Sequence, residues 1–145
     1  MRLFLDANVF FAGCLSKDGA SAFVLQLARR ERFELVASRL VLLETERNLR
    51  QKTSAAALKS FHGFLRQVRV RVVPQPNEEA MKPYEGMIAL KDLPVFVSAV
   101  VAKADSFLTL DRKHFLSTGV AAKIKKPGIL SPADFLRNVY LKGKI

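Results

Sequence analysis

Short apolar runs that end at charged or turn-forming residues recur along this chain. Between them lie longer stretches in which apolar positions repeat every three or four residues. Residues 3–5 form such a run, closed by Asp6, and predict a buried strand. Residues 21–32 have helical spacing, with Phe23, Leu27 and Ala28 on one face, and residues 33–37 predict a second strand. Ser38 stands where the N-cap of the next helix belongs; that helix reaches roughly Arg50, with Leu42, Leu43 and Leu49 turned inward. Residues 55–67 predict another helix. Residues 68–73 alternate Val with Arg69 and Arg71 and stop at Pro74, the pattern of a sheet edge. Residues 78–90 carry a helical pattern that Pro83 and Gly86 break or bend. Residues 92–103 are strongly helical, residues 107–110 predict a strand, and residues 111–116 a turn or short helix. A last short strand at 128–130 precedes Ser131-Pro132-Ala133-Asp134, where Ser caps the final helix and Pro takes its first position.

Strands alternating with helices predict an α/β fold with a parallel sheet covered on both faces. At 145 residues, with no repeat, low-complexity tract or long linker, the chain is expected to form a single domain, 1–145. Ligands of such sheets bind beyond the carboxyl ends of the strands. Asp6 and Asp111 each follow an apolar strand, so both are expected at that same end.

Composition adds a partner class. Twenty-four Lys and Arg against thirteen Asp and Glu give a net charge of +11 and a pI near 10.2. That balance favours a polyanion, because each cation placed near a phosphate releases condensed counterions. Nucleic acid leads, an anionic membrane surface comes second, and charge that serves solubility alone is the third reading. The sole cysteine, Cys14, excludes an intramolecular disulfide and is read as inert. The opening Met-Arg-Leu-Phe-Leu-Asp has no signal-peptide apolar region, and no uncharged run approaches the roughly 18 residues of a membrane span. A cytoplasmic protein without a membrane partner is expected.

Four acids share a setting. Asp6, Glu44, Asp92 and Asp111 all stand beside apolar residues, where a carboxylate is costly unless paired, protonated or bound to a cation. Two such charges about 4 Å apart repel by roughly 4 kcal/mol at an effective dielectric near 20. Gathered together, they would have raised pKa values until a divalent cation neutralised them. Oxygen-only ligands point to Mg²⁺ or Mn²⁺, since neither Cys nor His stands at a ligand spacing. Each acid has a structural alternative: Asp6, Asp92 and Asp111 as caps, Glu44 on a solvated helix face. Glu44 and Glu46 point about 200° apart on a helix, so only one of them is expected to face the site.

The opening Leu3-Phe4-Leu5-Asp6-Ala7-Asn8-Val9, the middle Glu44, Lys91-Asp92-Leu93-Pro94-Val95, and Ala104 to Phe115 around Thr109-Leu110-Asp111-Arg112-Lys113-His114 resemble a PIN domain. The resemblance spans nearly the whole chain and reaches the VapC-like group of small bacterial and archaeal toxins. It implies a three-layer α/β/α sandwich with strand order 3-2-1-4-5, and Mg²⁺- or Mn²⁺-dependent endoribonuclease activity. By motif position, Asp6, Glu44, Asp92 and Asp111 match the acidic residues. Asp6, Asp92 and Asp111 would hold one or two ions, while Glu44 would bind metal or orient the attacking water. Asn8 matches the residue that steadies the first acid, and Thr109 a hydroxyl near the metal. Thr-Leu-Asp replaces the frequent Thr-Gly-Asp but keeps the acid. Asp105 is read as structural. The resemblance further implies a homodimer, an RNA substrate and an antitoxin partner.

Arg112 and Lys113 are favoured as RNA contacts because they adjoin the proposed site. Arg29-Arg30 with Arg32, Arg47 with Arg50 and Lys52, and Lys123 with Lys125-Lys126 are further candidates. The lysine group has a flexible loop as its alternative. His114 is read as a packing or surface residue, and His62 as a helix residue without an acidic neighbour. Phe10-Phe11 and Phe61 with Phe64 are read as core or dimer interface at least as readily as base-stacking platforms. The rivals are an RNA-processing nuclease without an antitoxin, a non-catalytic nucleic-acid-binding module whose acids cap helices, and a purely structural interaction protein. A phosphatase of the haloacid dehalogenase type would need Asp where Asn8 stands.

Overall fold

A computed structural model describes residues 1–117 and 119–145. Five strands form one sheet: β1 (Arg2–Leu5), β2 (Glu34–Ser38), β3 (Val70–Val73), β4 (Ser106–Leu108) and β5 (Gly128–Leu130). Every pairing is parallel and the order is β3-β2-β1-β4-β5, as the resemblance implies. The predicted edge is an edge: Arg71 on β3 is half exposed and reaches Glu34 Oε1 at 3.4 Å.

The order reverses direction at β1, and this places the helices. Right-handed crossovers from β1 to β2 to β3 put α1 (Ala7–Leu15), α2 (Ala20–Arg29), α3 (Arg39–Lys52) and α4 (Ala55–Gln67) on one face. The return from β3 to β4 puts α5 (Glu78–Met81) and α6 (Leu93–Val101) on the other, followed by the wide turn Arg112–Leu116 and α7 (Val120–Lys123). Near the end of the chain α8 (Pro132–Phe135), which continues into a wide helical turn at Leu136–Tyr140, packs against α2. Aromatic rings fill both layers. Phe10 meets Phe61 and Phe64 edge-on under α1 and α4, with centroids 6.0 and 6.2 Å apart. On the opposite face Phe107 lies against Phe4, Phe96 and Phe115, with centroids at 5.8, 5.5 and 5.1 Å. Phe10, Phe61 and Phe64 are therefore core.

Several expectations need correction. Apart from Asn8, helix α1 has apolar residues all round, so its sequence carries no 3.6-residue signal. In α2 it is Val24 and Leu25 that join Leu27 and Ala28 inside, while Phe23 is 37% exposed and packs on Tyr140. Leu43 is 54% exposed because α3 turns that side toward an open cleft; Leu49 is buried. The helix expected over 78–90 is one turn of α5 followed by a tight turn at Lys82–Tyr84, broken where Pro83 and Gly86 stand. Val120–Lys123 is helical, so the basic stretch begins on a helix. Among the described residues, no helix is long and apolar enough to cross a membrane.

Phe107 joins three aromatic neighbours and is fully buried. Phe107→Ala is expected to lower the unfolding free energy by about 3–5 kcal/mol, read as an earlier midpoint in urea denaturation.

Candidate active site

The site grows out of the strand register. Leu5 of β1 pairs with Leu108 of β4, and the ladder runs one residue beyond each strand. Asp6 N–H donates to the Leu108 carbonyl at 2.9 Å, and Thr109 N–H donates to the Leu130 carbonyl at 3.0 Å. Asp6 and Thr109 thereby emerge side by side at the carboxyl end of the sheet.

Their side chains then close a small network. Thr109 is fully buried, and its hydroxyl donates to Asp6 Oδ2 at 2.8 Å. The Asp111 N–H donates back to that hydroxyl at 3.1 Å. Asn8 Nδ2 lies 3.4 Å from both Asp6 Oδ2 and Thr109 Oγ1, while its own carbonyl accepts from Leu110 N–H at 3.0 Å. Asn8 therefore ties the start of α1 to the chain leaving β4.

The remaining acids come from three other segments. Ser38 ends β2 and caps α3 through Val41 N–H at 3.2 Å, which starts the helix in the phase that brings Glu44 to the cleft. Asp92 ends the tight turn Leu90–Asp92, just before Pro94 in the first turn of α6. Its side chain makes no capping hydrogen bond, which removes the cap reading for Asp92. Asp111 does cap the turn after β4, accepting from His114 N–H at 2.9 Å through Oδ1. Asp6, Glu44, Asp92 and Asp111 all line one open cleft of about 950 Å³.

Charge in the cleft is out of its ordinary balance. Burial, reinforced by Glu44 and Asp92, pushes the Asp6 carboxyl up to about 6, against the pull of Thr109 and the Ala7 N–H. Burial also raises Asp92, with Asp111 adding to it while His114 and Lys91 oppose. Burial disfavours the Asp111 anion as well, but the His114 N–H and ring outweigh it and hold Asp111 below the usual carboxylate range. Asp92 Oδ2 is buried and has no hydrogen-bond partner among the described residues. That orphaned oxygen, facing one donor atom each of Asp111 and His114 with all three within 4.8 Å of one another, fits a divalent cation.

Two histidine readings change. His114 is no surface bystander: Nδ1 stands 2.9 Å from Asp111 Oδ2 and 3.9 Å from Asp92 Oδ2. Its spacing of three from Asp111 across a turn was the available signal. His62 does have an acidic neighbour, Glu46, at 3.5 Å. Glu46 also lines the cleft, so α3 presents two acids there; Glu46 is engaged by Arg50 at 2.8 Å, whereas Glu44 acts on Asp6. Arg112 and Lys113 are exposed, and Arg112 acts on Asp134. The cations that line the cleft are Arg47, Arg50, Lys52 and Lys91. Asp105 is structural, accepting from Arg2 N–H at 2.7 Å at the opposite end of the sheet. Burial pushes the Cys14 thiol up to about 11, which leaves it unreactive.

The family sequence pattern described as PIN domain matches residues 2–113. The chain belongs to the PIN domain family. The matched span runs from β1 past Asp111 and so contains all four acids. No curated protein sequence matches this PIN domain. Among solved structures it is similar to a chain in the crystal structure of VapBC2 from Rickettsia felis bound to a DNA fragment from their promoter. That chain is 16% identical with a TM-score of 0.61, over 90% of this chain and 98% of the other. It is also similar to PAE2754 from Pyrobaculum aerophilum, at 18% identity and TM-score 0.56, covering 94% and 88% respectively. At these identities the likeness establishes a shared fold.

The raised Asp6 carboxyl has a stability consequence whose sign follows from proton counting. Between about pH 4 and 6 the unfolded chain has lost this proton while the folded chain keeps it, so stability falls as pH rises through that window. Asp6→Asn should remove that loss. In metal-free buffer its advantage over the parent is expected to grow from near zero at about pH 3 to about 3 kcal/mol above about pH 6, by urea denaturation at each pH.

Proposed function

We propose that this PIN domain is a metal-dependent endoribonuclease whose site is the acidic cleft at the carboxyl end of β1 and β4. The observation that carries the reading is the convergence of Asp6, Glu44, Asp92 and Asp111 from four separate segments into one cleft, with a buried Asp92 oxygen left unpartnered. A set of helix caps has no need to converge, and Asp92 caps nothing. Asp6, Asp92 and Asp111 hold Mg²⁺ or Mn²⁺, which supplies Lewis acidity and positive charge against a phosphodiester. Glu44 contributes to that binding or orients the water that attacks phosphorus. Thr109 and Asn8 keep Asp6 turned toward the cleft, each through a hydrogen bond to Oδ2. Cleavage leaves a 5′-phosphate and a 3′-hydroxyl, the outcome the family resemblance implies.

Arg47, Arg50, Lys52 and Lys91 line the same cleft and would take the phosphates flanking the scissile bond. Arg112 and Lys113, exposed on the turn after Asp111, extend that basic surface. The VapC-like resemblance implies a toxin held by a separately encoded antitoxin and acting as a homodimer in the cytoplasm; the fold shared with a chain of the Rickettsia felis VapBC2 structure accords with the toxin part of that reading. A small reading frame beside the gene, if one encodes a DNA-binding N-terminus, would favour the toxin reading over an RNA-processing nuclease without an antitoxin.

Asp6→Asn is expected to reduce RNA cleavage below detection while circular dichroism stays that of the parent; chelation by EDTA is expected to do the same, reversed by Mg²⁺ or Mn²⁺. Undiminished cleavage in either case overturns the proposal. Replacing Arg47 and Lys91 together by Ala is expected to weaken RNA binding and to shallow the salt dependence of log K by about 1–2, measured by fluorescence anisotropy across salt concentrations.

A further inference from the structure

His114 brings a nitrogen atom into a site whose other donors are all oxygens. It is held there by the fold rather than by chance rotation. The wide turn Arg112–Leu116 is capped by Asp111 and anchored by Phe115, which is 1% exposed and packed against Phe96 and Phe107. From this anchored turn His114 Nδ1 faces Asp111 Oδ2 at 2.9 Å and Asp92 Oδ2 at 3.9 Å. Donors that share one ion at roughly 2.1–2.2 Å stand about 3 Å apart when they bind at right angles, and about 4 Å apart at wider angles. The observed separations fall on those values, and the shorter is at present a hydrogen bond whose proton an ion would displace. Asp92 Oδ2 meanwhile is buried with no hydrogen bond to satisfy it, so the same space has an acceptor still to be met.

We propose that Asp92, Asp111 and His114 form a mixed nitrogen–oxygen cation subsite, with His114 as the nitrogen ligand, that takes Mn²⁺ in preference to Mg²⁺. The inference rests on the reading of this cleft as a metal-dependent nuclease site and deepens it by naming a further ligand and the preferred ion. Imidazole is a good donor to first-row transition metals, whereas Mg²⁺ demands oxygen and gives up its waters reluctantly. An all-carboxylate cluster would leave the two ions nearly matched; a fixed imidazole separates them.

The test reads the ligand directly. Pulsed EPR of the parent protein loaded with Mn²⁺ is expected to show ¹⁴N modulation from an imidazole. The chain has two histidines, so His114→Gln is expected to lose that modulation and His62→Gln to keep it. Calorimetric titration of His114→Gln is expected to show Mn²⁺ affinity lowered about tenfold or more, and Mg²⁺ affinity changed less than about threefold. Mn²⁺ bound without ¹⁴N modulation overturns the inference, as does modulation that depends on His62. An equal loss for both ions also overturns it, leaving His114 as a residue that merely orients Asp111; in all three cases the nuclease reading stands. A parent protein that binds neither ion removes both readings together. The EPR measurement needs no variant, so a His114→Gln protein that misfolds does not shield the inference.

Discussion

The register of two three- and four-residue strands governs everything at the carboxyl end of this sheet. Because Leu5 pairs with Leu108, the next residues along, Asp6 and Thr109, leave the sheet as neighbours, each fixed by a backbone hydrogen bond to the adjoining strand. The hydroxyl of Thr109 can then donate to Asp6 while accepting from the Asp111 N–H, which transmits the position of one acid to the other. A slip of one residue would turn Thr109 to the opposite face and break both links. Phe4 and Phe107 guard against it: paired in the same register and stacked on each other, they bury fully only in this alignment.

Capping and chemistry are usually weighed as rival explanations for an acid at a strand or helix end, yet here single carboxylates do both. Asp6 gives Oδ1 to the Ala7 N–H and turns Oδ2 toward Thr109 and Asn8. Asp111 gives Oδ1 to the His114 N–H and Oδ2 to the His114 ring. One oxygen fixes the backbone and, through it, the direction of the second. Asp92 differs: with no capping bond, its buried oxygen is left for something outside the chain. The three aspartates therefore divide into two that are oriented and one that is under-satisfied, and on the proposed reading a cation would complete the last.

Much of this was legible in the sequence because it depends on local pattern. Apolar runs closed by Asp6 and by Thr109-Leu110-Asp111 marked the strand ends, and the charged alternation of Arg69 and Arg71 marked the edge. What escaped detection had no periodic or local signal. Apart from Asn8, helix α1 is apolar on every side, because it is enclosed by α2, α3 and α4. Leu43 and Phe23 are exposed although their spacing suits burial, since that spacing shows that a helix has an apolar face and leaves its outer limits open. The pairing of His114 with Asp111 could be read from their spacing of three, but its approach to Asp92 spans more than twenty residues of intervening chain, a separation no spacing rule covers. The basic residues of the cleft were visible as charges, but only the direction of α3 shows that Arg47, Arg50 and Lys52 border the acids.

A strongly basic protein with an acidic cleft poses an electrostatic question, since +11 overall repels the cation that the cleft attracts. Distance resolves it. Exposed charges farther than about 8 Å are largely screened at physiological ionic strength, whereas desolvated carboxylates around a cation interact at contact. The local field therefore decides cation binding and the wide field decides which polymer approaches. The two are coupled at Lys91, close enough to favour the ionised forms of Asp92 and Asp111 and placed on the cleft wall. Without a cation, the proposed site would set anionic floor against anionic phosphate. With one bound, the floor repels the polymer less and the basic rim acts against weaker opposition. On the proposed reading, metal and RNA must then each strengthen the binding of the other by the same factor, because linkage between two binding events is reciprocal.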